Sequence, residues 1–134
     1  MEKIVLKKEI EINASPENVW RVFTEPAVTK EMGGEYISDW EIGSSFNWKD
    51  NDGKIRTNGK IVLLEPAKLL KHYLFKDNET LLSTITYQLK NKNGKTILSA
   101  HEKWNFDIDD EQFKDASEGW AAALNRVKEI AEKL

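Results

Sequence analysis

The chain has 134 residues, room for one domain that buries roughly two-thirds of the surface its unfolded form exposes, and 40% hydrophobic residues with five tryptophans exclude a disordered polymer. Twenty Lys and Arg against 23 Asp and Glu leave a formal charge of -3 with the signs interspersed, so no basic stripe points to a nucleic-acid backbone. No cysteine is present, which excludes a disulfide framework and a thiolate metal site. Met1-Glu2-Lys3 leads straight into a strand pattern, and no run of about 18 apolar residues occurs. The expected address is therefore the cytoplasm, with no membrane span.

In chain order, Ile4, Leu6, Ile10 and Ile12 alternate with charged residues, the period of a strand with one buried face. Ser15-Pro16-Glu17 supplies a capping hydroxyl, a ring suited to the first helical position and an anion in the first turn, so a short helix starts there. Val19, Trp20 and Phe23 share one of its faces. Glu25-Pro26 interrupts it, and Ala27 to Met32 can resume as a second short helix ending at Gly33-Gly34.

From Tyr36 to Phe106, strand-forming runs alternate with turn chemistry at Gly43-Ser44, Asn51-Asp52-Gly53, Glu65-Pro66, Asp77-Asn78 and Asn93-Gly94. About six antiparallel strands in a meander are expected, and the first strand can join them because sequential strands tend to neighbour. Asp109 caps a last helix with Gln112 three positions on, and apolar residues from Phe113 to Leu134 recur at helical spacing. Gly119 interrupts that helix at a cost of about 1 kcal/mol relative to alanine, which close packing or a gap facing a ligand would explain.

The expected architecture is α+β, a helix-grip fold over residues 1–134. A curved antiparallel sheet of about seven strands carries two short helices after its first strand and one long C-terminal helix across its concave face. One helix cannot fill so wide a concavity, so either side chains fill it or a cavity remains.

Several segments resemble a known family: Ile12-Asn13-Ala14-Ser15-Pro16-Glu17-Asn18-Val19-Trp20, Ile42-Gly43-Ser44-Ser45-Phe46, Gly59-Lys60-Ile61 to Glu65-Pro66, Gly94-Lys95-Thr96, and Glu118-Gly119-Trp120 with Leu124. They look like the activator of heat shock protein 90 ATPase homologue family, within the START, polyketide cyclase and birch pollen allergen superfamily (SRPBCC). The resemblance covers essentially the whole chain. It implies a deep apolar pocket between helix and sheet, used across the superfamily for lipids, hormones and polyketides, sometimes with catalysis. Relatives that stimulate the chaperone carry a second domain beside this one, and 134 residues hold one.

Strand phase selects candidate pocket residues, because side chains two apart share a face. Phe46 and Trp48 share one such face; Leu70, His72 and Leu74 share another. Ile85 and Tyr87 point the same way as Ser83 and Leu89, while Glu102 and Trp104 follow Thr96, Leu98 and Ala100, with Phe106 continuing the series. Trp120, expected to face the wide end of the concavity, and Leu124 complete the set. His72 and Glu102 would be polar groups on an apolar surface, able to orient a ligand. Alternatively, Glu102 sits near a strand end or pairs with a lysine, and His72 is a core or rim residue with one hydrogen bond.

Sharper chemistries fail on spacing. His101-Glu102-Lys103-Trp104-Asn105 lacks the second histidine of a zinc-protease helix and reads as strand, so no metal site is expected. Asp50-Asn51-Asp52-Gly53 would put Trp48 at the first ligand position of a calcium loop, so it reads as a hairpin turn. Gly43-Ser44-Ser45-Phe46-Asn47 lacks the closing glycine of a nucleophile elbow. Three readings stay open: a noncatalytic binder of an apolar small molecule with no cofactor; a cyclase- or hydrolase-type enzyme using Glu102 or His72 as general acid or base; and a chaperone or homodimer contact through an exposed strand edge or the outer sheet face.

Overall fold

A computed structural model describes residues 5–76 and 80–134; Ile4 and the turn expected at Asp77-Asn78 lie outside them. Strand β1 (Val5–Ile12) is followed by α1 (Pro16–Thr24), α2 (Pro26–Thr29) and a 3-10 turn (Lys30–Met32). Six strands follow, β2 (Gly34–Ser38), β3 (Ser45–Asp50), β4 (Ile55–Glu65), β5 (Leu69–Phe75), β6 (Leu81–Lys92) and β7 (Lys95–Trp104), then α3 (Asp110–Ala131). All seven strands form one antiparallel sheet in the order β1-β7-β6-β5-β4-β3-β2.

The first strand does join the sheet, though not beside its sequence neighbour. Because α1, α2 and the 3-10 turn intervene between β1 and β2, these two strands occupy opposite edges, with β1 paired along its whole length to β7. The expected starts of both main helices are realised through their caps. Ser15 Oγ accepts from the Asn18 amide at 3.2 Å with Pro16 in the first turn. Asp109 and Gln112 form a reciprocal capping box, the Asp109 carboxylate accepting from the Gln112 amide at 2.8 Å and the Gln112 side chain from the Asp109 amide at 2.9 Å. The β6-β7 hairpin turns on Asn93 (φ 54°) and Gly94 (φ 87°), both left-handed, as a two-residue turn compatible with strand twist requires. Phe106 lies past the end of β7 and is exposed, so the inward series stops at Trp104.

The core lies between the sheet's concave face and the helices. Ile12, Val19, Val22, Ile61, Leu70, Leu98, Leu124, Val127 and Ile130 are buried there. Only the second half of α3 contributes buried residues: Leu124, Val127, Ile130 and Ala131. Its C-terminal end is tied back to the start of the fold, the Glu132 carboxylate accepting from the Asn13 amide at 2.8 Å. Its outer face is tied to the 3-10 turn, where Arg126 donates from Nε and Nη2 to the Glu31 carbonyl at 3.3 Å. The first half of α3 buries none of its residues fully and meets the sheet through Phe113 against Trp104 and Trp120 on Glu102, leaving open space between.

Candidate functional site: a cavity under the long helix

A cavity of about 470 Å³ lies beneath α3 between Ala116 and Ala123, within the size range that accommodates small organic ligands. Its ceiling is small by composition. Ala116, Gly119 and Ala123 recur on one helical face, and a Cβ added at Gly119 would meet nothing within 4 Å apart from its own helix. Close packing therefore does not explain Gly119, which is exposed and borders the cavity. Gly119→Ala should raise stability by up to about 1 kcal/mol, the usual gain in helix propensity with no clash to offset it, measurable by urea unfolding.

The floor and walls are aromatic. Phe46 stacks edge-on to His72 with ring centroids 4.5 Å apart, and Tyr36 stands edge-on to Phe46 at 5.6 Å and to Trp48 at 4.9 Å. Tyr87 contacts Trp120 at 5.7 Å. Of the residues expected from strand phase, Phe46, Trp48, His72, Leu74, Ile85, Tyr87, Glu102 and Trp120 are brought together around this one space. The other three are not on its wall. Leu70 is sealed into the core, and Leu124 faces an adjoining void of about 50 Å³ beside α1. Trp104, the last residue of β7, is buried against Phe113 near the start of α3 and borders a different hollow, with Lys103, Asn105 and Tyr73.

Glu102 is oriented from two sides. Trp120 Nε1 donates to Oε1 at 2.8 Å and Ser83 Oγ to Oε2 at 2.9 Å, so the carboxylate is fixed by the helix and by the adjacent strand, with no lysine involved. His72 is 3% exposed, and among the described residues neither ring nitrogen has a hydrogen-bond partner. Burial lowers its pKa to about 4, because a low-dielectric site disfavours the charged imidazolium; the Tyr73 main chain opposes this only partly and falls short of hydrogen-bond geometry. Burial likewise raises both phenols, Tyr87 well above its usual value. The interaction between the two phenols, which falls short of hydrogen-bond geometry, lowers Tyr36 and raises Tyr87, and the Glu102 carboxylate adds to the effect on Tyr87. At neutral pH the cavity thus contains a neutral imidazole, two neutral phenols and one oriented carboxylate.

Met32, Tyr36, Thr57, Ala116 and Ala123 also line the cavity and are absent from the set read off the sequence. Tyr36 could have been found by extending strand phase across the hairpin, since it pairs directly with Trp48. Met32 and Thr57 carry no comparable signal. His101 and Glu102 point to opposite faces of β7, and among the described residues no group of three or more His, Cys, Asp or Glu could hold a metal ion. The Asp50 to Gly53 segment forms the β3-β4 turn, with Asp50 Oδ1 accepting from the Asp52 and Lys54 amides at 3.0 Å. Among the described residues no helix is long and apolar enough to cross a membrane.

A curved sheet that grips one long helix over an apolar cavity defines a helix-grip domain of the SRPBCC kind. The chain belongs to the Activator of Hsp90 ATPase homolog 1-like protein family, whose sequence profile matches residues 13–132. No curated protein is matched by the sequence. Among solved structures it is similar to ChR145 from Cytophaga hutchinsonii (22% identity, TM-score 0.81, 99% of this chain and 97% of that one). It is also similar to protein MLL2253 from Mesorhizobium loti (20% identity, TM-score 0.80, 97% and 98%). A third similar structure is the Aha1 dimer from Colwellia psychrerythraea (20% identity, TM-score 0.79, 96% and 96%). At these identities the likeness concerns the fold.

Proposed function

We propose that the protein binds an apolar small molecule in the cavity beneath α3 and does not transform it. The observation that carries this reading is the open space of about 470 Å³ under a helix face built from alanine and glycine, where ordinary side chains would have closed the core. Phe46, Trp48, Leu74 and Ile85 supply the apolar contact in this reading, and Trp120 and Glu102 the orienting group.

Two observations favour binding over catalysis by the same residues. Both oxygens of Glu102 are already engaged by Trp120 and Ser83, which suits a fixed recognition element better than a proton carrier. An imidazole whose pKa is pushed down to about 4 is a weak base at neutral pH, well away from the match that general acid-base catalysis favours.

The test uses N-phenyl-1-naphthylamine, a neutral dye whose emission rises in apolar cavities. Saturable binding to the unmodified protein, retained in Gly119→Ala and weakened at least about tenfold in Gly119→Leu, is the expected pattern, since a leucine at 119 occupies the cavity with no clash at its Cβ. No saturable binding, or unchanged affinity in a folded Gly119→Leu variant, would overturn the proposal.

A further inference from the structure

We infer that the cavity selects ligands by charge, favouring an aromatic or apolar molecule that carries a protonated amine over neutral analogues and rejecting carboxylates. This rests on the binding reading above and adds a chemical class to it. Among the described residues no lysine or arginine lines the cavity, so none of them can neutralise a bound anion there. Among the described residues, the ionisable side chains in the wall besides Glu102 are His72 and the phenols of Tyr36 and Tyr87. Burial keeps His72 uncharged at neutral pH, with its pKa lowered to about 4, and keeps both phenols protonated, so none supplies a positive charge there.

Among the described lining residues, Glu102 is the one acidic side chain. It forms no salt bridge among the described residues, and its two donors, a hydroxyl and an indole N–H, orient the carboxylate without cancelling it. A carboxylate offers about four acceptor positions, so two remain for a ligand. Its field reaches the neighbouring strand β6, where it contributes to raising Tyr87. The surroundings reinforce the sign. Tyr36, Phe46, Trp48 and Trp120 line the same space, and the negative faces of aromatic rings attract cations and repel anions. Lining chemistry of one carboxylate among several aromatic rings, with no basic residue, suits an ammonium head on an apolar body.

Three probes of equal size separate the possibilities: 2-(1-naphthyl)ethylamine, cationic at pH 7; 2-(1-naphthyl)ethanol, neutral; and 1-naphthylacetate, anionic. Binding is read from tryptophan fluorescence and from amide shifts of cavity residues. The expected order is amine, then alcohol, then acetate, with about tenfold between the first two. Glu102→Gln, which can still accept hydrogen bonds, should bring amine and alcohol to equal affinity. Equal binding of all three, or preference for the acetate, would overturn charge selection while leaving the cavity reading intact. No binding of any probe would overturn both. If Glu102→Gln does not fold, the order of the three probes in the unmodified protein decides.

Discussion

Acidification from pH 7 to pH 4 is expected to remove about 3 kcal/mol of folding stability through His72 alone. The unfolded chain titrates this imidazole near 6.5, whereas the folded protein holds it at about 4. Between those values the unfolded state binds a proton that the folded state refuses, so acid favours unfolding. The stability is complete above the unfolded value and declines as the pH falls towards the folded one. The group is 3% exposed, so solvent screening removes little of the effect. Asp50 and Glu132, whose carboxyls are held low by hydrogen bonds from Arg56 and Lys128, also respond to acid, and they do so equally in any His72 variant.

The informative quantity is therefore a difference. His72→Phe should match or exceed the unmodified protein at pH 7, by up to about 2 kcal/mol, because it deletes two unpartnered nitrogens while keeping a ring beside Phe46, Tyr87 and Tyr36. By pH 4 the advantage should grow by about 3 kcal/mol. Urea unfolding at pH 7, 5.5 and 4 measures it, and a gap independent of pH would contradict a neutral buried imidazole.

Strand phase explains why His72 could be placed on the apolar face from the sequence while its isolation could not. The three register shifts among the described strands fall between Trp48 and Lys49, between Ile61 and Leu63, and beside Leu74 and Phe75. None interrupts Phe46-Trp48, Leu70-Leu74, Ser83-Leu89 or Thr96-Trp104, so the alternation reads through each run undisturbed. The same holds for turn chemistry and caps, which act over three or four residues. Interactions between distant elements carry no such local signal. The bond from Trp120 to Glu102 joins α3 to β7, and it replaces the lysine pairing that the sequence left open. Gly119 shows the boundary between the two kinds of information: its presence in a helix was visible, but only the curvature of the sheet beneath it decides that the space is empty.

Gly59→Ala is expected to cost about 3 kcal/mol, the opposite sign to the same substitution at Gly119. Gly59 lies opposite Phe46 on one side and Leu74 on the other. A Cβ there would stand 2.1 Å from the Phe46 ring and 2.3 Å from the Tyr73 carbonyl oxygen. The ring can swing away, but only towards His72 and Tyr36, across the space that forms the cavity. The carbonyl belongs to the β4-β5 ladder and cannot turn without breaking it. Overpacking of this kind usually costs 1–3 kcal/mol, and a main-chain contact puts this site at the upper end. Adding Phe46→Leu should recover only the part due to the ring, so the double variant is expected to stay less stable than Phe46→Leu alone. Thermal and urea unfolding of the four proteins measure both terms. A Gly59→Ala variant as stable as the unmodified protein would mean that Phe46 does not lie over β4, and the cavity would then lose its floor.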